Sequence, residues 1–308
     1  MRIAIIGPGA LGCLFGIRLN KTGHDIILVH HRKRSVRRIK ASGVRLKNLS
    51  GRIEKANLKI QGTLHRSDRV DLVIVTVKAY DTETVARSLK GSLGPLGLVL
   101  TLQNGLNNLE TLSRYIPAKA IVGGSTTEGA YLIGEGYAQH TGRGTTWLGQ
   151  IVPAKSANIY HLKKVFQGAG FSTRVTRNVK GVLWSKAIVN SAINPLTALT
   201  RLRNGELVKV PGLLAITIKV VEEGQQVCSL LGIKTTRPGP GQLLEKILSS
   251  TALNKSSMLQ DVEKGKRSEI LQLNGMIAKF GKSRNLDTPY NTLLTNLVLG
   301  LESSKTSR

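Results

Sequence analysis

Arg2-Ile3-Ala4-Ile5-Ile6 runs straight into Gly7-Pro8-Gly9-Ala10-Leu11-Gly12, and no other junction constrains the fold as strongly. An apolar segment of strand length meets a glycine turn, after which Leu11-Leu14-Phe15-Arg18-Leu19 has helical spacing. In such a unit Gly7 permits the tight turn, Gly9 lets a pyrophosphate approach the backbone, and Gly12 lets the helix lie close on the strand. The residues Gly7, Pro8, Gly9, Ala10, Leu11 and Gly12 are therefore assigned to a dinucleotide, whose phosphates the first N–H groups of the helix would face. A second apolar segment, Ile26-Ile27-Leu28-Val29, completes the unit. A glycine turn without a ligand would explain the local geometry but not the whole strand, loop, helix and strand.

The end of that second strand bears on the cofactor. A site for NAD normally places Asp or Glu there to hold the ribose 2′-hydroxyl. Between Asp25 and Glu54 the sequence has no acid, and His30-His31-Arg32-Lys33-Arg34 stands at the strand end instead. Arg32 is the candidate for a 2′-phosphate because its guanidinium fork matches phosphate oxygens, with Arg34 or Lys33 as helpers. NADP is the cofactor this implies. Arg37, Arg38 and Lys40 are assigned to the exposed side of the next short helix.

The first half of the chain alternates strand and helix patterns: strands at 70–77, 98–102 and 120–122, helices at 82–90 and 106–115. This predicts an α/β fold, a Rossmann-type doubly wound parallel sheet. Residues 44–62 and 129–150 have the alternation of antiparallel additions, a helix is expected from Ser156 to Gly168, and a last strand at 171–175. Beyond about Arg177 the periodicity is helical, clearest at 212–231, 240–248 and 269–283, and the tail from Ser303 to Arg308 is expected to fray. The division that follows is a dinucleotide-binding domain at 1–177 and an all-α substrate-binding domain at 178–308. Two loops lie beyond strand carboxyl ends, where open α/β sheets bind ligands. One holds Lys78, which could lie over the adenosine half of the cofactor; the other is Gln103-Asn104-Gly105, where Asn104 could present its amide to the nicotinamide half or could simply form a turn.

In the helical half, Lys186, Asn190 and Asn194 recur at four-residue steps and so share one helical stripe, drifting only about 40° per step. A mobile cation followed by two neutral amides suits an organic anion, since each Asn gives and accepts hydrogen bonds without repelling a carboxylate. A solvated face is the plainer reading of the same spacing. Pro195 disfavours helical geometry at Asn194, so the stripe is expected to bend there.

Composition limits the remaining classes. The 308 residues carry 45 Lys and Arg against 18 Asp and Glu, a formal charge of +27, which brings nucleic acid into view. The basic residues are scattered, aromatics make up only 4%, and no zinc-finger or RNP-type motif is present, so specific nucleic-acid recognition is not expected. No apolar run has the length to span a bilayer, and the opening is a strand rather than a leader, so no membrane partner and a cytoplasmic location are expected. Cys13 and Cys228 form no C-x-x-C and read as buried hydrophobes, with no disulfide and no metal site expected. His24, His30, His31, His65, His140 and His161 show no acidic partner in sequence, and His140 reads as structural.

Together these segments resemble the 2-dehydropantoate 2-reductase (ketopantoate reductase) family over nearly the whole chain. The resemblance rests on Gly7 to Gly12, Lys78, Gln103-Asn104-Gly105, and Lys186, Asn190 and Asn194 with Pro195-Leu196-Thr197-Ala198. It also takes in Asn204-Gly205-Glu206-Leu207 and Ser256-Ser257-Met258-Leu259-Gln260-Asp261 ahead of Ser268-Glu269-Ile270. It implies NADPH-dependent reduction of ketopantoate, a small anionic 2-oxo acid, to pantoate on the way to coenzyme A. It further implies that Lys186 is the proton donor and that Asn104, Asn190, Asn194, Asn204 and Ser257 hold substrate. The cofactor would be held by the glycine loop, Arg32, Lys78, Asn104, Ala130 and Glu269. A homodimer is compatible with this reading but not specified by it. The rival within enzymes is a β-hydroxyacid or other 2-oxo acid reductase, in which a helix Lys is also followed by Asn four residues later. Those enzymes have Met where this chain has Leu11 and lack the Asn-Gly-Glu-Leu and Ser-Met-Leu-Gln-Asp segments. The rival of another class is a basic nucleic-acid-binding protein with a nucleotide-sensing domain.

Overall fold

In the computed structural model, which describes residues 1–152 and 157–306, the opening junction forms as its glycines require. Strand β1 (Arg2–Ile6) ends at Gly7, and helix α1 (Ala10–Asn20) starts from Gly9. Gly7 has φ +92° and a Cβ there would lie 2.6 Å from Val77 Cγ1, so only glycine fits the turn. A Cβ on Gly12 would run into the Gly7 carbonyl oxygen, so the third glycine lets the helix close on the turn.

The chain divides into two compact units, Met1–Gln103 with Asn108–Val179, and Asn104–Asn107 with Lys180–Arg308. In the first, β1 is followed by β2 (Asp25–Val29), α2 (Lys33–Ser42), β3 (Val44–Lys47), β4 (Ile53–Ala56), β5 (Lys59–Gln61) and β6 (Val70–Val75). Then come α3 (Thr82–Ser88), β7 (Leu93–Thr101), α4 (Asn108–Ser113), β8 (Ile121–Thr126), β9 (Gly129–Gly134), β10 (Tyr137–Gly142), β11 (Thr145–Gln150), α5 (Ala157–Gly168) and β12 (Ser172–Val175). The main sheet has the order β12-β11-β8-β7-β6-β1-β2-β5, and every pair is parallel except β11 with β8. The chain leaves β1 toward β2 on one side and returns to β6 on the other. That switch puts the glycine turn and the loop after β6 at one crevice, where α/β sheets bind ligands.

The segments expected as antiparallel additions separate. β3, β4, β9 and β10 build a second sheet in the order β4-β3-β10-β9, antiparallel as expected except that β3 and β10 pair in parallel, whereas β5 joins the main sheet parallel to β2, and β11 joins it antiparallel to β8. The free edges of β2 and β8 need backbone partners, and these strands supply them. Helix α1 touches β1 and β2 of one sheet and β3, β4, β9 and β10 of the other. Covered from both sides, it buries Gly12 to Ile17 and Leu19 rather than a single stripe. Phe15 stacks against Phe166 and Phe171, with ring centroids 5.5 and 4.5 Å away, tying α1 to α5 and the approach to β12. The helix expected from Ser156 runs from Ala157; Ser156 lies outside the described residues.

The second unit is helical: α6 (Val179–Thr200, whose first residue belongs to the first unit), α7 (Pro211–Leu230), α8 (Pro240–Ser250), α9 (Ser257–Glu263), α10 (Asn274–Lys282) and α11 (Pro289–Thr306). Its core gathers Trp184, Ile188, Val189, Ile193, Val220, Val227, Met258, Ile277 and Val298. α7 approaches α6 closely because Gly224 leaves room for Ile188, whose Cγ1 would lie 2.8 Å from a Cβ. The continuous helix expected over 269–283 is broken. A 3-10 turn, Ile270–Gln272, precedes α10, and the Gln272 carbonyl accepts the N–H of Leu106 at 2.8 Å instead of serving a helix. The tail expected to fray is helical through Thr306, with the Ser303 and Ser304 hydroxyls donating to the carbonyls of Leu299 and Leu301; Ser307 and Arg308 lie outside the described residues.

Pro195 sits inside α6 without ending it. Proline has no N–H for the carbonyl four residues back, which leaves Ser191 O without its helical donor. Asn274 Nδ2 donates to that oxygen at 2.9 Å and to Asn291 Oδ1 at 3.1 Å. Asn291 Nδ2 in turn donates to the buried Glu223 carboxylate at 2.7 Å, which also accepts the first N–H groups of α11 from Tyr290 and Asn291. A negative charge at a helix start is favourable, so the chain of bonds that repairs the proline gap is anchored at a helix dipole. Helix α6 thus runs through Asn194 and Pro195 without a break.

Candidate active site

In the first unit the glycine turn is held from below and open above. Gly7 N–H donates to Val29 O at 3.0 Å, Thr76 Oγ1 donates to Gly7 O at 2.7 Å, and the Cys13 thiol donates to Pro8 O at 3.3 Å. Gly9 differs from its two neighbours. A Cβ there would find only Gly7 O, at 3.9 Å, so internal packing does not require glycine, and its bareness leaves space over the start of α1. No acidic residue occupies the first turn of α1. An open glycine at an uncapped helix start fits a dinucleotide pyrophosphate.

Arg32 is exposed and precedes α2 as its cap, with Lys33 and Arg34 beside it. Its N–H donates to His30 Nδ1 at 3.1 Å, so the free imidazole carries its proton on Nε2. Burial, then the positive charges of His31 and Arg32, hold His30 below its ordinary range. Arg37, Arg38 and Lys40 are exposed, as expected. Lys78 is half-buried at the end of the loop after β6. That loop is braced by the buried Gln103, whose Nε2 donates to Val77 O at 3.0 Å and to Thr82 Oγ1 at 2.9 Å. Ala130 lies in β9 opposite His140 of β10. His140 is buried, as a structural histidine should be, but it has the acidic partner that the sequence did not reveal. Glu128 Oε2 lies 2.8 Å from its Nε2, and Glu128 Oε1 accepts Gly144 N–H at 3.0 Å.

The second unit holds the remaining candidates. Asn104, half-buried, belongs here rather than to the unit that supplies β7, because the loop 104–107 follows Leu106 into the helical core. Gly105 at φ +88° and Asn107 at φ +71° make this excursion sterically feasible. The Leu106 bond to Gln272 sets the loop beside the 3-10 turn that Glu269 caps. Along α6, Lys186 and Asn190 are half-buried and Asn194 is buried, so the stripe is not a solvated face. Burial lowers the Lys186 ammonium to about 8, and the carboxylate of Glu269, itself buried, acts in the opposite direction. Glu269, expected to contact only the cofactor ribose, is therefore within electrostatic reach of the lysine.

Asn204 and Ser257 have different surroundings. Asn204 Nδ2 donates to Thr251 Oγ1 at 2.9 Å and its N–H to Asn254 O at 3.0 Å, which pins the start of a 3-10 segment to the 251–254 turn. Of the serine pair, Ser256 is the buried cap of α9, accepting Leu259 N–H at 3.1 Å and the Thr197 hydroxyl at 2.7 Å. Ser257, one residue on, is exposed in the first turn of α9. Burial pushes the thiols of Cys13 and Cys228 up to about 12, so neither is a nucleophile at neutral pH. Among the described residues no cluster of His, Cys, Asp or Glu could hold a metal ion, and no helix is long and apolar enough to cross a membrane.

Residues 3–153 match the family model described as ketopantoate reductase PanE/ApbA, and residues 178–302 match its C-terminal model. The 2-dehydropantoate 2-reductases of Archaeoglobus fulgidus and Pyrococcus horikoshii are each 38% identical, with 98% of both chains covered. The crystal structure of a PanE/ApbA family ketopantoate reductase from Ralstonia eutropha is 33% identical and superposes with a TM-score of 0.89 over 99% of this chain and all of that one. A D-mandelate dehydrogenase with NADH and anilino(oxo)acetate, 28% identical, superposes with a TM-score of 0.94 over 99% of each chain. None of these relatives supports the nucleic-acid alternative. With family models matched along most of its length and relatives above 30% identity covering nearly all of it, the chain belongs to the ketopantoate reductase PanE/ApbA family.

Proposed function

We propose that this protein is an NADPH-dependent 2-dehydropantoate 2-reductase, reducing ketopantoate to pantoate. The observation that carries the reading is Lys186, a half-buried lysine whose ammonium is lowered to about 8 and which heads a stripe of two amides. A group that gives up its proton near neutral pH is what a ketone needs as its oxygen gains charge. When bound, the cofactor supplies the hydride to the ketone carbon. Lys186 stabilises the alkoxide oxygen as an ammonium and then donates its proton to it. Asn190, Asn194, Asn104, Asn204 and Ser257 orient the carboxylate and hydroxyl of the substrate, Asn204 from a position fixed by its bonds to Thr251 and Asn254. Gly7 to Gly12, Arg32, Lys78, Asn104, Ala130 and Glu269 bind the cofactor. In this reading residues 1–177 are the cofactor-binding domain and 178–308 the substrate-binding domain, working in the cytoplasm.

The glycine loop offers a test in which binding and folding separate. Gly9→Ala should keep the wild-type melting temperature and weaken NADPH by about tenfold, because its Cβ enters only open space where a phosphate would come. Gly7→Ala should destabilise the fold by about 1–3 kcal/mol, through positive φ and the contact with Val77. Thermal unfolding and cofactor titration of both variants check this; equal melting losses would contradict it.

The likeness to D-mandelate dehydrogenase, with its NADH and anilino(oxo)acetate, favours a second reading: a reductase of a bulkier 2-oxo acid using NADH. Initial rates with ketopantoate, benzoylformate and simpler 2-oxo acids, each with NADPH and NADH, decide between them. The highest kcat/KM for ketopantoate with NADPH is expected. Faster turnover of an aromatic 2-oxo acid with NADH would establish the second reading instead.

A further inference from the structure

The end of β2 lacks an acid in sequence but not in space. Glu135, in the turn between β9 and β10, lies 100 residues from Ser35, yet its Oε1 accepts the Ser35 hydroxyl at 2.7 Å, and its Oε2 accepts Arg38 Nη1 at 3.2 Å. Ser35 is buried in the first turn of α2, three residues after Arg32. His30, which receives the Arg32 N–H, is close enough for the Glu135 carboxylate to act on its charge. Both the carboxylate and the guanidinium of Arg38 are more than a third exposed, so this is a partly solvated pair at the lip of the strand end rather than a core ion pair. An acid in this location has a defined effect on a dinucleotide: it accepts a hydrogen bond from a ribose 2′-hydroxyl and repels a 2′-phosphate.

We propose that Glu135 is a specificity-determining residue, the hairpin-borne counterpart of the missing strand-end acid, which opposes Arg32 and limits the preference for NADPH over NADH. The proposal rests on the assignment of Arg32 to the 2′-phosphate. Two features of the contact argue for opposition rather than assistance. The Ser35 hydroxyl, the buried side-chain donor in the first turn of α2, is committed to the carboxylate, and so is the guanidinium of Arg38 on the same helix. A phosphate would have to share these donors with a group of its own sign. Because Glu135 belongs to the second sheet, selectivity can be altered by this hairpin without a change at the strand end itself.

The test is the affinity of the full-length wild type, Glu135→Gln and Arg32→Ala for NADPH and for NADH, by fluorescence titration at low and at physiological salt. Glutamine keeps an acceptor for Ser35 and removes only the charge. Glu135→Gln is expected to tighten NADPH by about three- to tenfold, to leave NADH within about twofold, and to lose part of this difference as salt screens the pair. Arg32→Ala is expected to weaken NADPH at least about tenfold more than NADH. If Arg32→Ala behaves so while Glu135→Gln leaves NADPH unchanged, or shifts both cofactors equally, the role of Glu135 is overturned and that of Arg32 stands. If Arg32→Ala does not discriminate between the cofactors, the assignment of Arg32 falls and the opposition argued from it falls as well.

Discussion

Lys186→Ala is expected to lower turnover of the 2-oxo acid by about 10²- to 10⁴-fold, the usual contribution of a positioned proton donor, with NADPH affinity little altered. The loss should fall on kcat and kcat/KM together, because the interaction with the alkoxide exists only in the transition state. Its pH dependence follows from the surroundings of the lysine. Burial lowers the ammonium to about 8, so the acid form needed for reduction predominates below that pH and declines above it. The rate of reduction should fall as pH rises through about 8, and oxidation of the hydroxy acid, which needs the neutral amine, should rise over the same interval. A reduction rate flat between pH 7 and 9.5 would contradict the assignment. The same shift bears on stability. A lysine whose folded pKa lies below its unfolded one is burdened by its charge at neutral pH, and the burden is relieved as pH climbs from about 8 toward the ordinary 10.5. Lys186→Met, which keeps the apolar stem, should therefore melt no lower than the wild type at pH 7 and serves as the folding control for the loss of activity.

Asn274→Ala is the second large effect expected, and it falls on stability. Asn274 is fully buried and donates to the carbonyl that Pro195 leaves bare and to Asn291. Removing it strands two buried acceptors, at about 1–3 kcal/mol each, for a total of about 2–6 kcal/mol. Thermal unfolding should register this as a fall of at least about 4 °C, on the basis of roughly 2–4 °C per kcal/mol for chains of this order of size. Pro195→Ala in the Asn274→Ala background should recover part of the loss, since alanine restores the helical donor to Ser191 O. No recovery would mean that the bond to α6 is not what Asn274 contributes. Because α6 bears Lys186, Asn190 and Asn194, the same variant should depress kcat more than it weakens NADPH.

Several features of this protein were legible in its sequence because their causes are local. The strand, glycine turn and helix at 2–20 follow from residues within a few positions of one another, and so do the alternation that builds the parallel sheet and the four-residue spacing on α6. The roles assigned to the glycines were readable in the same way, apart from one distinction. Only the folded environment separates Gly7 and Gly12, which the turn itself needs, from Gly9, which it does not.

What tertiary structure alone decided involves partners far apart in the chain, where periodicity has no reach. His140 finds Glu128 across a hairpin, and Gln103 braces a loop by bonding to Val77, 26 residues earlier. The loop at 104–107 leaves the unit that supplies β7 because Leu106 is buried among helices. Glu269 acts on Lys186 from 83 positions away, and an equal separation lies between Asn274 and the carbonyl it satisfies. Sequence alone pointed to a bend at Pro195 and an acid-free strand end. Folding adds partners that no local pattern shows, Asn274 for the carbonyl beneath Pro195 and Glu135 for Ser35 and Arg38: a buried or charged group left without a partner is costly, and the fold brings that partner from wherever in the chain it can be supplied.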